Sequence, residues 1–348
     1  MSILMFLANR KVKAQDFDID KILEAGTGDA ETYLQNFVSP VFKGFGYGLA
    51  NGWYNTAKTH KPWGVDLTVT VNGAFVPNKD LFFKFDNADY NSLRLTGGDT
   101  STDMPTVFGG ETNRKVELLD ENGDPFPTAV VFDAPGGTDL SNFLPGSPDD
   151  NDPATGRTVM PVPMVNLGIG LPKGTDVKFR FSPKIKQDGF EGQILGLGVM
   201  HNVKQWIPGL KEKKFNLSGF IGYTSIKTKF DMTDSDLNNG ADDQKAILNI
   251  NSWTVQGLIS KDYKMFSMYA GVGFNAASSD FNLLGTYDLD PNSTIDPILK
   301  DPIALHFTSG GPRATAGFRI KLAVITLHAD YTFQEYNTLT AGFGIYVR

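Results

Sequence analysis

PRATAGFRIKLAVITLHADYTFQEYNTLTAGFGIYVR, residues 312–348, decides the fold. It reads as three antiparallel strands joined by very short turns. In the middle one, Ile325, Leu327, Ala329, Tyr331 and Phe333 share a face, against Thr326, His328, Asp330 and Thr332. In the last one, Leu339, Ala341, Phe343, Ile345 and Val347 oppose Thr340, Gly342, Gly344 and Tyr346. Side chains that alternate with period two mark a strand between two different environments. A soluble sandwich alternates as well, so the second face has to decide. That face carries Gly, Thr, His and Asp, which do not make a second packing surface. Polar inside and apolar-aromatic outside, in segments of roughly ten residues, is the pattern of a transmembrane β-barrel.

The same pattern extends toward the N-terminus. GVDLTVTVNGAF, residues 64–75, opens the barrel, with Val65, Leu67, Val69 and Val71 facing out and Asp66, Thr68, Thr70 and Asn72 facing in. MVNLGIGL and DVKFRFSP pair across Pro172 to Thr175, which puts Asn166 and Gly168 opposite Lys178 and Arg180 on the inside. Between residues 76 and 160 the pattern weakens. LFFKF (81–85) and SLRL (92–95) read as short strands between long external loops, chiefly 99–158, with a small inserted subdomain as the alternative, and a second long loop spans 278–309. Tight turns alternating with long loops predict an all-β, antiparallel transmembrane barrel of about fourteen strands over residues 64–348, an even number as such barrels require.

Composition agrees. The 348 residues include 37 Gly and 26 Phe, suited to curved walls and interfacial girdles, and no Cys, which excludes disulfides and thiol chemistry. No run of about eighteen apolar residues exists for a membrane-spanning helix. The net charge of −7 gives no reason to expect nucleic-acid binding. Trp63, Trp206, Tyr223, Trp253, Tyr263 and Tyr346 read as girdle residues.

Ahead of the barrel, residues 1–14 read as a secretory signal truncated at its start, with cleavage after Ala14. Residues 15–63 read as a hatch or plug: Asp29 caps a short helix, Pro40 stops it, and a Gly- and aromatic-rich stretch follows from Phe42 to Trp63. The Ala14-Gln15 cleavage site, this stretch and the C-terminal meander together resemble outer-membrane proteins of Bacteroidota. The chain is distantly similar to the FadL-type long-chain fatty-acid transporters. That resemblance implies fourteen strands and an N-terminal hatch in the lumen, with Trp53-Tyr54-Asn55-Thr56-Ala57 as a loose counterpart of the hatch motif.

The candidate lumen or ligand residues are Lys178, Arg180, Arg313, Arg319, His328 and Asp330, all placed inward by register. Inward basic groups can hold a carboxylate or phosphate head group, or brace the wall as ion pairs with Asp66 and Asp330. On the lipid face they would cost roughly 2–4 kcal/mol each. His328 and Asp330 lack a serine at a recognisable spacing, so no catalytic residue is assigned and the protein is read as not an enzyme. Asp234, Asp236 and Asn238 fail as a calcium loop, because Gly240 comes one position late and Lys245 replaces the bidentate Glu. No cofactor or metal is expected. The expected function is passive uptake of a hydrophobic or amphipathic small molecule across the bacterial outer membrane, with lipid and lipopolysaccharide as surroundings. The alternative is a structural barrel docked to an envelope protein through its long loops.

Overall fold

The computed structural model describes residues 19–120, 122–126, 129–137, 159–187, 189–231, 243–287 and 299–347. The signal reading of residues 1–14 and the acidic run Asp234 to Asn238 lie outside them. Two helices come first, α1 (Ile19–Glu24) and α2 (Thr27–Leu49). β1 (Val65–Phe75) follows, then five short strands, β2 (Phe82–Asp86), β3 (Leu93–Leu95), β4 (Ser101–Pro105), β5 (Lys115–Leu118) and β6 (Val131–Asp133). Next are β7 (Val159–Leu171), β8 (Thr175–Gln187), β9 (Phe190–Asn202), β10 (Asn216–Asp231), β11 (Lys245–Asp262) and β12 (Phe266–Leu284). The chain ends with β13 (Thr286–Tyr287), β14 (Leu299–Lys300), β15 (Ile303–Leu322), β16 (Ile325–Phe333) and β17 (Thr338–Val347).

Ten of these strands close a barrel in the order β1-β17-β16-β15-β12-β11-β10-β9-β8-β7. The expected fourteen is therefore corrected to ten. LFFKF and SLRL are not wall strands: they belong to β2–β4 and β3–β5–β6, two small sheets outside the barrel. At five and three residues they are also too short to span a bilayer, which takes about nine to eleven. The loop expected over residues 278–309 is also corrected. Ser278 pairs with Thr308 and Asp280 with His306, so β12 and β15 run on as a polar, long hairpin.

The register expected for the wall holds. In β1 every even residue from Asp66 to Ala74 is buried, and Val65, Leu67 and Val71 are exposed. Each of the ten strands contributes an exposed apolar residue: Leu67, Val165, Phe179, Leu197, Ile221, Val255, Val272, Phe318, Leu327 and Phe343. The outer face is thus apolar all the way round. Among the described residues no helix is long and apolar enough to cross a membrane.

The two ends of the barrel differ. At one end, here the turn end, β7–β8, β11–β12 and β15–β16 are joined by tight connections. The other, the loop end, carries the long insertions 76–158, 232–244 and 285–302. There Phe85, Leu93, Met104 and Val116 of the small sheets form one core with Ile22, Leu23, Tyr33 and Phe37 of the helices.

Helix α2 does not stop at Pro40 as expected. It continues to Leu49, with Pro40 buried inside it. Proline lacks the N–H that would bond the carbonyl of Asn36, and surface helices normally end there. Here the barrel walls press the following turns into place: a Cβ at Gly46 would lie 2.9 Å from Ala277 Cβ, and one at Gly48 would lie 2.5 Å from Val162. Asp29 is not the cap either. Gly26 is, and the Asp29 carboxylate accepts the backbone N–H groups of Asn91 and Ser92 in the bend ahead of β3.

Candidate functional site

Helix α2 ends in the middle of the lumen. The last carbonyls of a helix have no partner inside it, and stranding them away from water is costly. Each one here finds a side chain. Asn51 Nδ2 donates to Tyr47 O (2.8 Å), and Asn72 Nδ2 donates to Gly48 O (3.0 Å). Arg180 donates to Leu49 O (2.6 Å) and Asn51 O (2.8 Å). Arg313 donates to Ala50 O (2.9 Å) and to the Asn51 side chain. Cations at a helix C-terminus also meet the negative end of its dipole. β8 and β15, which carry the two arginines, lie five strands apart in a ring of ten and so face each other across the lumen.

Below the helix end the chain descends as an extended segment. The Arg180 guanidinium stacks 3.8 Å from the Trp53 ring. The same ring rests on three inward glycines: a Cβ at Gly196, Gly198 or Gly222 would stand 3.1, 3.1 or 2.9 Å from it. Tyr54 donates to Gln256, Thr56 meets Ser260, and Ser218 donates to Ala57 O. At the turn end His60 is held between two wall carboxylates. Its backbone N–H and Nδ1 meet Asp176 at 2.9 and 2.8 Å, and its Nε2 lies 3.1 Å from Asp66 Oδ1. The Asp66 approach is ionic in distance but too poorly angled to be a directed hydrogen bond, so Asp176 is the stronger partner. The imidazole also stacks on Tyr346, with ring centroids 4.7 Å apart.

All six candidate residues are buried and inward-facing, but they do not form one site. Arg180 and Arg313 hold the helix end, so their donors are directed to backbone carbonyls and not to wall ion pairs. Lys178 lies 3.8 Å from Asp66, beside His60. Arg319 donates to Asn55 Oδ1. Asp330 accepts from Tyr269. His328 sits across from Arg319 and Gly342, with its Nδ1 lacking a hydrogen-bond partner among the described residues. Tyr346, expected in the girdle, turns inward over His60, because position 346 has the parity of the lumen face. Trp63 and Trp206 are 70% and 67% exposed and stay outside.

Sequence reasoning missed Asp176, although it shares a face with Lys178 and Arg180, and it missed the pairing role of His60. Among the described residues no three His, Cys, Asp or Glu side chains are placed to hold a metal ion. Between His60, Asp176, Lys178, Arg319 and Tyr346 there is room for about one water molecule.

His60 lies in the connection before β1, outside the strands. Burial pulls its imidazole down, but the hydrogen bond to Asp176 and the close Asp66 carboxylate outweigh this and raise it above the ordinary 6.5, even with Lys178 nearby. A raised value favours the protonated, paired state. The stability it contributes is complete below about pH 6.5 and is lost as pH rises through the folded value. The temperature at which the folded band of the purified barrel disappears on a gel is therefore expected to fall with rising pH over that window. His60→Gln is expected to remove the slope. A slope that persists in His60→Gln would assign it to another group.

One wall seam differs from the rest. β7 and β8 pair only from Leu171↔Thr175 to Asn166↔Arg180, and beyond that residues 159–165 and 181–187 have no ladder between them. The sequence explains this. Gly170 N–H and C=O bond toward Gly64 and Trp63, so even residues of β7 point their amides toward β1 and odd ones toward β8. Pro161 and Pro163 are odd, and proline has no N–H to give. Across the seam, β8 carries a register shift between Ser182 and Ile185, with Pro183 inside it. The inner side of the seam is apolar, where Met160, Val162 and Met164 pack with Phe45, Leu49 and Ile226.

Solved structures similar to the chain are outer-membrane proteins. Ail of Yersinia pestis is 6% identical, with a TM-score of 0.28 over 82% of this chain and 99% of that one. The translocator domain of the autotransporter NalP of Neisseria meningitidis is 10% identical, with a TM-score of 0.26 over 83% and 90%. The monoaromatic hydrocarbon channel TodX is 7% identical, with a TM-score of 0.25 over 88% and 75%. No curated protein matches the chain. The sequence itself, over residues 1–347, belongs to DUF6588, a family of unknown function.

Proposed function

We propose that this protein sits in the bacterial outer membrane and passively admits a hydrophobic or amphipathic small molecule by way of the seam between β7 and β8. The apolar outer face supports the membrane placement, with lipid and lipopolysaccharide as its surroundings. The observation that carries the transport reading is the seam. It is an unladdered stretch of wall backed by Met160, Val162 and Met164, in a barrel whose other inward positions are largely polar. An apolar molecule entering at the loop end would find there a path into the bilayer that avoids the polar, filled lower lumen. This fits the transport role that the FadL-type resemblance implies.

Pro161→Val combined with Pro163→Val tests this. The pair restores two donors facing β8 and is expected to lower uptake of a fluorescent fatty acid or aromatic probe by cells, with the folded band unchanged. Unaltered uptake in a folded variant would remove the seam as the route.

A second reading, a structural barrel within an envelope assembly, is favoured by the ordered core that joins the small sheets to α1 and α2 at the loop end. A stoichiometric partner co-purifying in mild detergent supports it, and a clean monomer argues against it.

A further inference from the structure

We infer that the segment ahead of β1 enters this barrel from the external face of the membrane. The segment ahead of β1 crosses the lumen in one direction, and its contacts order it by depth. At the loop end Glu31 accepts from Ala304 N–H and Gln35 donates to His306 O. Mid-lumen, Leu49 and Ala50 meet Arg180 and Arg313. Deeper, Asn55 meets Arg319 and Ala57 meets Ser218. At the turn end Trp63 N–H donates to Gly170 O.

Ten strands alone would return both chain ends to one side of the membrane. The lumenal pass adds an eleventh crossing, which puts Ile19 at the loop end and Val347 at the turn end. A hatch inserted from the periplasm would run the other way.

The long insertions identify the loop end as external, since outer-membrane barrels keep short turns in the periplasm. The inference rests on the outer-membrane placement proposed above but not on uptake, so uptake can fail while the topology stands.

The chain has no Cys, so single cysteines report without background. Gly28 is exposed, and a Cβ there meets nothing within 4 Å. In intact cells a membrane-impermeant maleimide is expected to label Gly28→Cys fully. Lys61→Cys should react only after the outer membrane is permeabilised. Thr27→Cys, also exposed, replaces Gly28→Cys if that variant lacks the folded band. Protection of Gly28→Cys until permeabilisation would overturn the inference, by placing the segment's entry in the periplasm.

Discussion

Deleting residues 16–61 is expected to turn an electrically silent barrel into an open pore. The intact protein should show no stable conductance steps in a planar bilayer, because α2 and the segment after it occupy the lumen down to His60. Without them the remaining ring faces inward with Thr68, Thr70, Asn72, Ser218, Thr254 and Thr340, a wall that water wets. Small barrels can fill themselves with side chains, but Gly196, Gly198 and Gly222 supply none to replace the Trp53 ring. Steps should therefore appear wherever the folded band shows that the barrel has closed. A second consequence follows at the loop end. Phe85, Leu93, Met104 and Val116 lose the helices they pack against. Residues 76–137 should then become sensitive to limited proteolysis. A folded, silent deletion variant would show that the wall, not the segment, closes the lumen.

The second large effect is expected from Arg180→Ala with Arg313→Ala. Truncating these two side chains strands the buried carbonyls of Leu49, Ala50 and Asn51, at roughly 1–3 kcal/mol for each unpaired acceptor. The Trp53 ring loses the stacked cation as well, worth about 2 kcal/mol where desolvated. The single variants should each cost less than half the double, because either arginine alone keeps the helix end located. The folded band should survive, since the wall ladders are untouched, but intermittent conductance should replace silence. Equal and additive losses in the two singles, with no conductance in the double, would reduce the arginines to independent wall braces.

Much of this wall was legible in sequence, and for a physical reason. Period-two alternation is set by each strand's own two environments, so β1, β16 and β17 could be read residue by residue. The strand number could not, because LFFKF and SLRL alternate as wall strands do and only their partners show where they belong. The interior was half legible. Register placed Arg180 and Arg313 inward, but their role depends on where α2 ends, and Pro40 pointed to an earlier stop than the crowded lumen imposes. One unused signal was the agreement of Gly196 and Gly198 with Gly222 on the adjacent strand, the mark of a large ring pressing on the wall. Pro161, Pro163 and Pro183 likewise break the ladder visibly in sequence, but only once β7 and β8 are known to be neighbours.

The two arginines on opposite walls also act as a gauge. Barrel diameter grows with strand number, and strands are gained or lost as hairpins. One more hairpin would move both walls outward from a hub whose carbonyls stay fixed, and the two spokes would fall short together. One fewer would drive them into the helix. The barrel's girth is therefore specified from within, so any lineage that changes the number of staves must rebuild the axle in the same step.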